Sequence, residues 1–167
     1  MLNDSELAEL EDVARRCRRD IVRMTHKAGS GHPGGSLSAI DALVVLYLRH
    51  MRVRPEDPLW HERDMFFLSK GHCTPAYYAA MAARGYVPHE ELLTFRAMGS
   101  RLQGHPSNTH LPGVDSSSGS LGQGLSLANG AALAARYEGL GARYYVMIGD
   151  GESQEGQIWE AAMTAAA

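Results

Sequence analysis

Cysteine is scarce in this chain of 167 residues: Cys17 and Cys73 are the only two, at a spacing that builds no disulfide framework, which fits a reducing compartment. Long apolar runs are also missing. Runs such as Ala42 to Leu48 are core-sized and far short of a bilayer span, so no membrane role is expected. The opening MLNDSELAEL lacks the basic and apolar regions of a secretion signal and reads as mature cytoplasmic sequence. Nor is there an excess of one charge: a net charge of -3 argues against a nucleic-acid partner. The one basic cluster, Arg15, Arg16, Arg18 and Arg19, follows Glu11 and Asp12 at helical spacing and reads as a solvated face with surface ion pairs. What remains, 44% apolar and 21% charged residues, is the composition of one globular domain.

The apolar positions Leu7, Leu10, Ala14, Cys17, Ile21 and Met24 recur every three or four residues and predict a helix starting near Asp4 or Ser5. Glycines 29 to 35 break it. A second helix is expected from about Ser36 to His50, with Ile40, Leu43, Val44 and Tyr47 inward. Met65 to Leu68 reads as a strand covered on both faces. Pro75 suits the first turn of a helix that Gly85 closes, and Pro88 to Phe95 reads as a short helix. Gly99 to Gly119 shows turns and no periodicity, which is long for an idle connection. Gln123 to Glu138 predicts a helix capped by Gly139, and Tyr144 to Ile148 a further buried strand. Strand, crossover helix and strand point to an α/β domain with a parallel sheet.

Two groups of residues carry chemistry. Gly149-Asp150-Gly151 sits where an open α/β sheet binds ligands, just beyond a strand's carboxyl end. Gly151 would let backbone N–H groups approach a phosphate, and Asp150 would hold a cation shared with it. The same tripeptide also suits a tight turn in which Asp150 merely accepts backbone hydrogen bonds. It is no dinucleotide fingerprint, since the third glycine of that motif would fall at Gln154, and no P-loop lysine is present. The second group is His32, His72 and His105, each directly after a glycine in a loop. Imidazoles so placed can reach a cleft; three of them can also bind zinc, as in a hydrolase, but that leaves Gly149-Asp150-Gly151 unexplained.

Taken in order, "KAGSGHPGGSLS", "LSKGHC", "GHPS", "SSSGSLGQGLSLANG" and "IGDGESQEG" resemble the N-terminal, diphosphate-binding section of transketolases, closest to those encoded as two separate subunits. The resemblance runs from about Asp20 onward. It implies a doubly wound parallel sheet of the thiamine diphosphate-binding fold, with residues 1–167 forming a single diphosphate-binding domain that is incomplete at its C-terminal end. It implies thiamine diphosphate and Mg²⁺ as cofactors. Asp150 would ligate the metal, Gly151 and His72 would contact the diphosphate, and the backbone of Gly119, Ser120 and Leu121 would line the pocket near the aminopyrimidine. His32 and His105 would face the substrate, and Glu155 and Glu160 would link the two active sites of a dimer.

The activity so implied is transfer of a two-carbon ketol unit from a ketose phosphate to an aldose, as in the pentose phosphate pathway. The asparagine that completes the family's magnesium shell lies about 25 to 30 residues after Gly-Asp-Gly, beyond Ala167. The glutamate that activates the cofactor and the arginines that grip sugar phosphate belong to the pyrimidine-binding half, so a C-terminal subunit is the implied partner, in a hetero-oligomer built on a dimer. A two-carbon transferase of specialised metabolism, a deoxyxylulose phosphate synthase-like enzyme and a truncated non-catalytic paralogue are the alternatives.

Overall fold

Two short apolar runs far apart in sequence, Met65–Leu68 (β1) and Tyr144–Met147 (β2), pair as parallel strands in the computed structural model, which describes residues 2–167. The register sets Met65 against Tyr144 and Leu68 against Met147. Parallel strands need a long crossover, and the chain between these two contains helices α3 (Thr74–Arg84) and α4 (Gly124–Glu138). The architecture is the α/β class expected from the sequence. The chain divides into two compact units, Met1–Met51 with His72–Gly104, and Arg52–Gly71 with His105–Ala167.

The first unit is helical. Helix α1 (Asp4–Ala28) starts on a capping box, in which the Asn3 side chain accepts from the Glu6 N–H at 2.9 Å and Glu6 accepts from the Asn3 N–H at 3.0 Å. Gly29, at φ 60°, ends it. Its apolar stripe is buried from Leu10 to Met24, while Leu7 stays about half exposed. The basic cluster behaves as expected: Arg15 and Arg16 both pair with Asp12, and Arg18 with Asp41.

Helix α2 (Pro33–Val45) begins three residues earlier than its apolar pattern predicts, because Pro33 pre-sets the first-turn geometry, and it widens into a π turn over Leu46–His50. Ile40, Leu43, Val44 and Tyr47 all point inward. Each fully buried aliphatic side chain here contributes roughly 1.5–3 kcal/mol. In α3, Thr74 through Met81 are all buried, and the small alanines among them let α1 and α2 approach closely. A 3-10 segment, His89–Thr94, packs against α1 and α3.

The second unit holds the sheet, and each end of it is tied by a carboxylate. At the entry, Asp64 is 1% exposed and accepts from the N–H groups of Arg52 and Arg143 and from the Arg52 guanidinium, each at 2.9 Å. Burial alone would raise its pKa; those donors outweigh burial and hold the carboxyl below its ordinary value. The long loop after residue 104 seals the outer edge of β1: Asp115 accepts from the Phe66 N–H at 2.7 Å and from Arg63 at 2.6 Å, and Ser118 donates to the Leu68 carbonyl at 2.7 Å. Burial wins at Asp115, whose pKa is raised despite these partners. β1 is buried as predicted from Phe66 to Leu68, but β2 is only half-buried along its length, which corrects the expectation of a second covered strand. Helix α5 (Gly156–Ala166) packs on α4, joined by Asn129 to the Ala161 carbonyl at 2.7 Å and Gln157 to Ser126 at 2.6 Å.

Candidate functional site

At the carboxyl end of the sheet, three loops of the second unit converge on one buried side chain that the sequence patterns do not mark. Glu152 is 3% exposed; its carboxylate accepts from Ser69 Oγ at 2.5 Å, from the Gly122 N–H at 2.8 Å and from the Gly149 N–H at 2.9 Å. Ser69 in turn accepts from the Gly124 N–H at 3.1 Å, so the relay reaches the first residue of α4. Glycine is what permits this convergence. A Cβ on Gly124 would lie 2.5 Å from the Ser69 side chain, and Gly122 stands at φ 84° with a Cβ position only 3.2 Å from Glu155 Cβ.

Glu152 thereby fixes the turn that carries Gly149-Asp150-Gly151. Asp150 itself is exposed, and among the described residues nothing donates to its carboxylate; only its backbone carbonyl is engaged, by Ser153 at 2.5 Å. The turn is held by the glutamate two residues on, which leaves the aspartate free for another task. Gly151 is equally unconstrained: its φ is -64°, and a Cβ there would meet no atom within 4 Å. Neither conformation nor packing requires glycine at 151, which fits a backbone kept bare for a ligand. A single unpartnered carboxylate beside a bare turn is the donor set that Mg²⁺ uses when phosphate oxygens supply the rest of its shell.

The other predicted residues of this unit fall as follows. His105 is exposed and its ring runs along Gly119, where a Cβ would stand 3.7 Å from His105 Cδ2. Gly119, Ser120 and Leu121 are exposed in the segment leading to α4. Glu155, which precedes α5, and Glu160, within α5, are exposed. Lys70, which no motif singles out, runs along Gly149, with its Cβ and Cδ 3.7 Å from where a Cβ would be.

In the first unit the structure brings two predicted imidazoles together: the rings of His32, which precedes α2, and His72 have centroids 5.2 Å apart at an interplanar angle of 67°. Gly35 makes this approach possible, since a Cβ there would clash with Cys73 Sγ at 2.6 Å and sit 3.6 Å from His72 Nε2. Among the described residues no three His, Cys, Asp or Glu side chains are grouped to hold a metal ion, so the zinc alternative has no ligand set. Among the same residues no helix is long and apolar enough to cross a membrane.

The sequence model of the family described as "Transketolase, thiamine diphosphate binding domain" matches residues 10–167. The chain is 48% identical to the 6-deoxy-6-sulfo-D-fructose transketolase subunit SqwG of Clostridium sp. (strain MSTE9), over 94% of this chain and 57% of that protein. It is 41% identical to an apulose-4-phosphate transketolase subunit of Phocaeicola vulgatus, over 95% of this chain and 56% of the relative. The chain thus spans somewhat more than half the length of these curated relatives. Among solved structures, the transketolase of Campylobacter jejuni superposes with a TM-score of 0.84 at 35% identity, covering 91% of this chain and 25% of that one. The Leishmania mexicana transketolase gives 0.82 at 35% identity, over 91% and 24%.

Proposed function

Since the chain belongs to the transketolase family, within its thiamine diphosphate binding domain, we propose that it is the diphosphate-binding half of a two-subunit transketolase that moves a two-carbon ketol unit from a ketose to an aldose. Residues 1–167 are read as part of one such domain, and the partner is a second subunit carrying the pyrimidine-binding half. The observation that carries the reading is the exposed, unpartnered Asp150 on a turn that Glu152 holds in its place.

In this reading Asp150 holds Mg²⁺, Gly151 offers a backbone N–H to the diphosphate, and His72 donates to it. Lys70 adds positive charge nearby. The backbone of Gly119, Ser120 and Leu121 lines the aminopyrimidine end, and Glu155 and Glu160 face the dimer partner. Thiamine diphosphate, when bound, supplies the carbon nucleophile and the electron sink. The chain's own contribution is electrostatic and positional. His32 and His105 bind sugar hydroxyls, stabilise the negative charge that develops on the ketose oxygen, and carry its proton at neutral pH.

The substrates are sugars or sugar phosphates. A donor from specialised carbohydrate metabolism is the second reading, supported by the names of the two-subunit relatives, which refer to a sulfofructose and to apulose 4-phosphate. The test is to combine the chain with its second subunit, thiamine diphosphate and Mg²⁺, and follow two-carbon transfer from a panel of ketoses to an aldose. Transfer that requires both subunits is expected; none from any ketose, with cofactor bound, would refute the reading.

A further inference from the structure

Arg96 is the one non-glycine residue among the described residues with a left-handed backbone, at φ 61°. Glycine takes this conformation at little cost and arginine does not, so the contacts that Arg96 makes offset the strain. Its mount is rigid. The Arg96 N–H donates to the carbonyl of fully buried Leu102 at 3.0 Å, and the turn between them is clamped by Arg101 on Glu91, at 2.6 and 2.8 Å.

From this mount the guanidinium donates to Ser30 Oγ at 2.5 Å, two residues before His32. It also lies flat along Gly104, where a Cβ would come within 2.6 Å of Nε and 3.0 Å of Cζ, and its Cζ stands 5.5 Å from the Phe95 ring centroid. The next link in the Ser30–His32 loop is just as tightly seated: Gly31 has φ 136°, and a Cβ there would strike Thr25 Cγ2 at 2.8 Å and Phe95 Cε1 at 3.3 Å. Phe95 and Arg96, adjacent in sequence, therefore hold consecutive residues of the loop that delivers His32 to its place before α2 and beside His72.

We propose that Arg96 is a positioning residue for His32: its left-handed backbone directs the guanidinium onto Ser30, and this bond, with Phe95 against Gly31, fixes the imidazole before substrate arrives. The proposal rests on the reading of His32 as substrate-facing, but its first test does not.

The informative variant is Arg96→Gly, because glycine accepts φ 61° without strain and removes the guanidinium. Amide hydrogen exchange and the His32 imidazole NMR signals are measured on the full chain for wild type, Arg96→Gly, Arg96→Lys and Ser30→Ala. Arg96→Gly is expected to melt within a few degrees of wild type yet exchange its Ser30–His32 amides at least tenfold faster, with a shifted His32 signal. Ser30→Ala is expected to reproduce the effect, and Arg96→Lys to restore part of it. In the two-subunit enzyme, Arg96→Gly should then lower kcat about tenfold or more with unchanged thiamine diphosphate affinity. Unchanged exchange and an unchanged His32 signal in Arg96→Gly would overturn the proposal. Loosened exchange with no transfer activity even in wild type would instead remove the functional reading and leave the positioning contact standing.

Discussion

Replacing Glu152 by glutamine keeps the side chain's shape and takes away one acceptor. Oε1 receives Ser69 and the Gly122 N–H, and Oε2 receives the Gly149 N–H. A glutamine that keeps its carbonyl toward Ser69 and Gly122 presents an NH₂ group to the Gly149 N–H, donor against donor. One buried bond to a charged acceptor is lost, and the expected destabilisation is about 1.5–3 kcal/mol. Glu152→Ala strips the acceptor from both backbone N–H groups and from Ser69, whose hydroxyl is already committed as acceptor to Gly124. With about 1–3 kcal/mol for each buried donor left unmatched, and partial rescue by water, the loss is roughly 3–5 kcal/mol. Denaturant unfolding followed by circular dichroism gives both values from the midpoint at constant slope. Amide exchange at Gly122 and Gly149 localises the effect, and both should accelerate in either variant. Equal stability of wild type and Glu152→Ala, or changes in exchange confined to residues away from these loops, would refute the assignment of Glu152 as the tie between them.

Other outcomes follow from the same geometry. Asp150→Ala should leave stability within about 0.5 kcal/mol of wild type, because the carboxylate is exposed and unpartnered; a loss above about 1 kcal/mol in denaturant unfolding would make Asp150 a structural residue. Asp64 has a folded-state pKa depressed by its donors, so its contribution is present above the unfolded value of about 3.9 and is lost as pH falls through the lower folded value. Asp64→Asn should thus be less stable than wild type at pH 7, with the gap closing below about pH 4; a gap constant with pH would contradict this. Asp115, raised by burial, acts with the opposite sign, so the comparison is read as a difference from wild type. Gly124→Ala should cost about 1–3 kcal/mol in the same unfolding assay, since its Cβ would stand 2.8 Å from the Ser69 Cα and the backbone must shift. Cys17, buried and pushed up to about 11, should resist thiol labelling in the folded protein, and rapid labelling would show that α1 opens.

The helices were legible because their signals are local. Gly29, Pro75, Gly85 and Gly139 mark starts and stops by cap and first-turn chemistry, and the strand and helix patterns follow the residue periodicities, whereas the Asn3–Glu6 capping box and the Pro33 start of α2 precede the first apolar repeat of their helices and lie outside that pattern. The motifs around Asp150 and the three Gly-His steps were legible by resemblance. What escaped depends on contacts between residues distant in sequence. Asp115 closes the edge of β1 from 49 positions away, and Ser69 meets Glu152 across 83. A glutamate two residues after Asp150 gives no periodic signal, although a carboxylate three positions after Gly149 has the spacing to accept that glycine's N–H, and this was the available clue. Arg96 carries no mark at all in the sequence, since its left-handed backbone emerges only when the turn closes on Leu102.

The central claim is that Glu152 holds the turn so that Asp150 can fasten a metal-bridged diphosphate. Isothermal titration of thiamine diphosphate into the chain paired with its second subunit, with Mg²⁺ and then with the metal chelated, tests it for wild type and Asp150→Ala. The account predicts saturable, Mg²⁺-dependent heat in wild type that disappears in Asp150→Ala. Equal affinity in the two proteins, or binding indifferent to the metal, would contradict it.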